Sequence, residues 1–356
     1  MKALRLYAGP VARQHIAQHG LRPQDIHTIP AAAGGPKGLI LGPLDRFLFG
    51  RWLPRSDQPL HLVGASIGAW RMATACLPDP VAAFERLEHD YIRQHYEFRP
   101  GNRLPLPQRV SEQFAQSLRD FYGGRVRELL QHPRWHLHIV TSRGRHLLGR
   151  EHGLRTPLGY LGAFLTNSVQ RKAMGAWLER VVFSSAGAEL PFSTNDYRTR
   201  QVALTEANFY PALQASCSIP FALQAVHDIP GAPPGAYWDG GITDYHLHLN
   251  YATRPGLVLY PHFQRAVVPG WLDKGLKWRH RASQFLDNML LLAPNPEWVA
   301  TLPGAKLPDR QDFTHYGNDL AGRTRAWGAA VQASRQLAEE LEAWLERPDP
   351  AQLQPL

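Results

Sequence analysis

A serine sits among small residues in the run Gly64-Ala65-Ser66-Ile67-Gly68. The pattern G-x-S-x-G, placed after a short apolar run and before a helical pattern, describes a nucleophile elbow. The chemistry sets the residue types. A serine at a sharp strand-to-helix turn is strained, and its hydroxyl stands clear of the sheet. Gly64 and Gly68 must be tiny, or strand and helix collide. The helix N-terminus aims backbone N–H groups at the hydroxyl, which favours a developing negative charge. The plainer reading is a tight turn carrying an inert serine.

Two further loops carry chemistry. The first is Ala33-Gly34-Gly35-Pro36-Lys37-Gly38. Consecutive glycines let backbone N–H groups converge on one point, as an oxyanion hole requires. Pro36 has no N–H to give, so Gly34 and Gly35 are the candidate donors. The rival reading is a phosphate cradle, but neither G-x-x-x-x-G-K-[ST] nor G-x-G-x-x-G occurs here. Lys37 is a cation at a helix start, suited to an anionic head group or to structure. The second loop is Tyr237-Trp238-Asp239-Gly240-Gly241. An aspartate behind two large aromatics is partly desolvated, which raises its pKa towards useful base strength. The plainer reading is an ordinary Asp-Gly turn.

These loops need a scaffold that brings them together. Strand-like runs at 25–33, 60–64, 136–142, 180–184, 201–205, 236–238 and 256–260 alternate with helical patterns at 37–49, 67–76 and 208–215. That alternation predicts a mostly parallel sheet covered on both faces, with 256–260 as its last strand. The three loops follow strand ends, where an open α/β sheet builds its site. Phe114, Leu118 and Tyr122, then Val126, Leu129 and Leu130, recur at helical spacing and mark a helical insertion over 91–135, a candidate lid. An amphipathic packing helix is expected over 326–346, with frayed residues after it.

Composition narrows the classes. The chain has 356 residues, 44% of them hydrophobic and 19% charged, which excludes a disordered chain. Thirty glycines and thirty prolines without a period exclude collagen-like sequence. Two cysteines, Cys76 and Cys217, exclude a disulfide framework or a cysteine-rich zinc site. No apolar stretch approaches the roughly 20 residues of a spanning helix. The N-terminus shows no secretory pattern, so a cytoplasmic location is expected. The net charge of +9 points to anionic partners.

Taken together, the three loops resemble the patatin-like phospholipase family. Residues 33–38 are similar to its G-G-G-x-[RK]-G loop, with Ala33 in place of the first glycine. Gly64 to Gly68 matches its elbow in full. Asp239-Gly240-Gly241 matches its D-G-[GA] segment, with Asp244 at a further acidic position. Ala215-Ser216-Cys217-Ser218-Ile219-Pro220 is similar to its A-S-x-x-x-P stretch. After Asp244 the chain departs, with Tyr245, His246, Leu247 and His248 where asparagine and proline are commoner. The resemblance implies a three-layer α/β/α sandwich and a serine–aspartate dyad without histidine. Ser66 would be the nucleophile, Asp239 its base, and Gly34, Gly35 and Ile67 the oxyanion donors. Gly38, Lys37, Gly64, Gly68, Gly240 and Gly241 would support them. The implied organisation is an extension at 1–24, a catalytic domain at 25–262 and a C-terminal helical extension at 263–356 packed on that domain. The implied substrate is a lipid or small ester; the basic surface adds the expectation of peripheral contact with an anionic membrane. No cofactor, metal or nucleic acid is expected.

Three rivals have their own residues. A Ser-His-Asp hydrolase would draw on His246, His248, His262, His280 or His315. A metal hydrolase would use the alternation of Asp244, His246 and His248, or His136 and His138. A non-enzymatic basic module would use Trp271, Lys274, Lys277, Trp278, Arg279 and Arg281, whose aromatics between cations suit a lipid interface or single strands.

Overall fold

The computed structural model describes residues 1–96 and 105–356. Eleven strands form one sheet among the described residues: β1 Leu4–Ala8, β2 Ile26–Ala31, β3 Leu60–Ala65, β4 Trp135–Gly144, β5 Leu178–Ser184, β6 Thr199–Ala203, β7 Val226–His227, β8 Ala236–Asp239, β9 Leu257–Pro261, β10 Met289–Pro294 and β11 Leu353–Pro355. Their order is β11-β1-β10-β9-β2-β3-β4-β5-β6, with β8 on β4 and β7 on β8. The core from β10 through β9, β2 and β3 to β4 is parallel. Helices flank this sheet. The central strands read as near-continuous apolar runs because helices cover both of their faces. At one edge, β6 carries the exposed charge of Arg200, which discourages further pairing.

One register decides the site. β3 runs parallel to β4, and its last residue, Ala65, opposes Val140. β8 runs antiparallel to β4 along the continuation of β3, and Asp239 opposes Thr141. The carboxyl ends of β3 and β8 therefore meet head to head over adjacent residues of β4. The sequence pattern places the aspartate at the end of a strand in a mostly parallel sheet. The structure instead lays its strand end-on to the one that leads to the serine.

Other expectations are corrected. The run 256–260 is not the last strand, because β10 pairs parallel with β9 and antiparallel with β1. The C-terminal residues are not frayed, since β11 pairs with β1. Both terminal segments thus complete the same sheet. The helix expected over 37–49 is a tight 3₁₀ segment, Gly35–Leu41, followed by Gly42–Phe47 in α form. The 326–346 helix is two helices, Leu320–Ala333 and Arg335–Glu346, separated at Ser334. In the insertion, Pro107–Tyr122 and Val126–Leu130 are helical, and Val110, Phe114, Leu118 and Phe121 turn inward. Part of that expectation, 97–104, lies outside the described residues. No helix among the described residues is long and apolar enough to cross a membrane.

Candidate active site

Ser66 links β3 to the helix Ile67–Ala75 with φ 56° and ψ −130°. Positive φ is rare for a residue with a side chain and stores strain, which the surroundings must hold in place. They do so through Ser216. The Ser66 N–H donates to Ser216 Oγ at 3.0 Å, and that hydroxyl donates to the Val140 carbonyl at 2.7 Å. The turn also needs close approach. A Cβ on Gly68 would overlap the Ala31 carbonyl of the neighbouring strand. Gly64 lies beneath Ala69 on the other side of the same turn.

The Ser66 hydroxyl donates to Asp239 Oδ2 at 2.7 Å, and both residues are buried, 4% and 5% exposed. The other carboxylate oxygen, Oδ1, accepts the Gly241 N–H at 2.7 Å. The Asp239 N–H donates to the Ser218 carbonyl and the Gly240 N–H to the Ser216 carbonyl, at 2.9 and 3.2 Å. The stretch 216–218 thus ties the serine turn to the aspartate turn. Burial raises the Asp239 pKa above its ordinary value. Arg310, the Ser66 hydrogen bond, the Gly241 N–H and Lys274 each pull the other way without cancelling it.

The glycine loop lies across from this pair. Gly35 takes φ +58°, which turns the chain into the 3₁₀ segment. Gly34 packs on the Phe263 ring, and Gly38 faces the Ile67 side chain. Among the described residues, the N–H groups of Gly34, Gly35 and Ile67 donate to no acceptor. Lys37 Nζ stands 5.5 Å from the centre of the Phe263 ring, and burial lowers its pKa. Lys274 feels burial first, then the charges of Arg310 and Lys37, and its pKa falls to about 8. Arg310 and Lys274, from distant segments, both act on Asp239, and Lys37 acts on Lys274.

A cavity of ≈ 260 Å³ opens from Ser66, Gly35 and Ile67. Trp70, Val110, Phe114, Ile219, Leu223 and Phe313 line it with apolar surface, and Arg310 adds a charge. A serine, an aspartate and unused N–H donors beside an apolar cavity can carry acyl transfer.

The other sequence candidates lie elsewhere. His246 Nδ1 is 3.0 Å from both the Ala266 oxygen and the Val268 nitrogen. His248 bonds Ser283 Oγ, His262 the Gln264 backbone, and His280 the Asp273 carbonyl. His315 packs on Tyr316. His138 lies between His61 and Ser184, and His136 stacks beside His61. Asp244 is held by Arg180 through two bonds of 2.7 Å. These side chains are engaged in structure and do not converge on Ser66. Sequence reading missed Arg310, which stands in no motif and reaches the site only through the chain's return path. It also missed the bridging role of Ser216, although the A-S-x-x-x-P stretch marks the position.

No curated protein matches the chain in sequence. A family model for patatin-like phospholipase matches residues 33–246, which takes in the glycine loop, the serine turn and the aspartate turn. With more than half of its length inside that match, the chain belongs to the patatin-like phospholipase family, a family of lipid acyl hydrolases.

Proposed function

We propose that the chain is a serine acyl hydrolase that cleaves lipid carboxyl esters, phospholipids and lysophospholipids foremost. The chemistry passes through an acyl-enzyme on Ser66 with Asp239 as base. The observation that carries this reading is the 2.7 Å hydrogen bond between the two buried side chains beside an apolar cavity.

In the proposed sequence, the acyl chain lies along Trp70, Phe114 and Leu223 and presents its carbonyl to Ser66. Asp239 takes the hydroxyl proton as Oγ bonds to the carbonyl carbon. The oxyanion receives the N–H groups of Gly34, Gly35 and Ile67, and the first turn of the elbow helix adds its dipole. Asp239 is then a neutral acid, the form its burial favours, and it returns the proton to the departing alcohol. Water enters and bonds to the acyl carbon as Asp239 accepts its proton. Asp239 then returns that proton to Ser66 Oγ as the bond from the serine to the acyl group breaks, and the acyl group leaves as a fatty acid. Lys37, Lys274 and Arg310 favour the negative charge that gathers during both steps. Only side chains, backbone and water are used.

The test is a turnover screen of the purified protein over esters of graded chain length and head group. Wild type is expected to hydrolyse lipid esters, and Ser66→Ala to lose that activity. Asp239→Asn is expected to lower kcat by about 10²–10⁴ with little change in KM. Undiminished turnover in Ser66→Ala would end this reading.

A further inference from the structure

We infer that the outward face of the helix Arg155–Val169 docks on an anionic lipid bilayer and sets the mouth of the Ser66 cavity against it. The inference rests on the reading of that cavity as a lipid-ester site. The helix is turned inside out. Leu158, Leu161, Phe164, Leu165 and Val169 face solvent, with Leu154 just before them, and Leu154 and Val169 are 75% and 88% exposed. Thr156, Gly159, Tyr160, Ala163 and Asn167 face inward. A surface helix with water as its neighbour shows the opposite arrangement. A contiguous apolar face of this kind marks an interaction site.

The surroundings say which partner fits. No acidic residue occurs from His152 to Leu178, while Arg155 and Lys172 flank the apolar stripe. The segment carrying Trp271–Asp273 and Lys277–Arg279 packs at the helix C-terminus, where Arg279 donates to Asn167 Oδ1 and to the Ser168 carbonyl. This segment adds exposed Trp271 and Trp278, the latter 66% exposed, together with Lys277 and Arg281. Among the described residues, Arg155, Lys172, Lys277 and Arg281 form no ion pair. Leucines on one side, cations around them and tryptophans at the rim match the depth profile of a lipid headgroup region.

The face is also continuous with the site. Phe221 is 57% exposed, meets the Tyr160 ring of this helix at 5.9 Å, and lines the cavity with Ser66. A lipid leaving the bilayer there would enter the cavity without crossing water. The spacing Leu154, Leu158, Leu161, Leu165 would also suit a coiled-coil seam with a second copy. Apart from Glu151, whose carboxylate accepts the Ala225 N–H, such a pair would carry a rim of cations with no acidic partners, which favours the anionic bilayer.

The experiment is flotation with vesicles of phosphatidylcholine, with and without phosphatidylglycerol, using the Ser66→Ala protein so that no turnover is needed. Binding is expected to be stronger on the anionic vesicles and to weaken with salt. Leu158→Glu with Leu165→Glu is expected to weaken binding by roughly tenfold or more. Made in the otherwise wild-type chain, that pair should leave the thermal midpoint and hydrolysis of a short soluble ester unchanged. Lys277→Glu with Arg281→Glu should reduce binding to anionic vesicles only. Equal flotation of parent and leucine variant would overturn the inference. So would absent flotation together with a dimer that the leucine variant splits. Vesicle binding by a protein that hydrolyses no ester would instead sink the enzymatic reading alone.

Discussion

Burial holds the Asp239 carboxyl above its ordinary value of 3.8, so the folded chain grips that proton more tightly than the unfolded chain does. Stability therefore falls as pH rises from about the unfolded value through the raised folded one, and it stays lowered above that. Asp239→Asn removes the cost of a buried charge. At neutral pH it is expected to raise the unfolding midpoint while turnover collapses, and below the ordinary carboxylate value the difference in midpoint should vanish. A scan of thermal unfolding against pH for the two proteins checks this. Arg310 acts on the same carboxyl in the opposite sense. Arg310→Gln withdraws a cation that favours the carboxylate, so the acid limb of the kcat/KM profile should move to higher pH. An unmoved limb would mean that another group titrates there. Ser66 and Asp239 stood out in the sequence because small residues flank Ser66 on both sides and two glycines follow Asp239. Arg310 was not, because a cation that acts through space leaves no local pattern.

The strand β8 and the buried ion network after it do the positioning. Arg180 donates to both oxygens of Asp244 at 2.7 Å and to Asp196 at 3.1 Å, and Arg180 and Asp244 are fully buried. This fixes the chain just after the Asp239 turn. Arg180→Ala would leave Asp244 with only the 3.5 Å contact to Arg171. The expected cost is about 3–5 kcal/mol, seen as a lower urea midpoint with the same slope. The acidic position was visible in the sequence, but its partner was not, since the run 180–184 reads only as an apolar strand with one charge. Met289–Pro294 shows a related limit. Its short apolar run can be strand or buried helix by pattern alone, and only pairing with β1 and β9 settles it. The helix Arg155–Val169 was missed although its leucines recur at helical spacing, because it lacks the polar face that makes a water-exposed helix recognisable.

At the scale of the whole molecule, segments far apart in sequence converge on one cavity. The glycine loop, the serine turn and the aspartate turn lie within the family match, whereas Lys274 and Arg310 come from beyond it. β1, β10 and β11 extend the sheet on the side away from β4. The parallel core was legible because alternating strands and helices leave few ways to connect. The terminal additions were not, because a five-residue strand such as Leu4–Ala8 with a mixed pattern carries little signal. The most direct test of the dyad is mass spectrometry of the intact protein quenched during turnover of a slow ester, followed by mapping of the acylated peptide. The expected result is one acyl group on Ser66 in the wild-type chain, and none in Ser66→Ala. An acyl group on Cys217 or on a histidine, or continued turnover in Ser66→Ala, would contradict it.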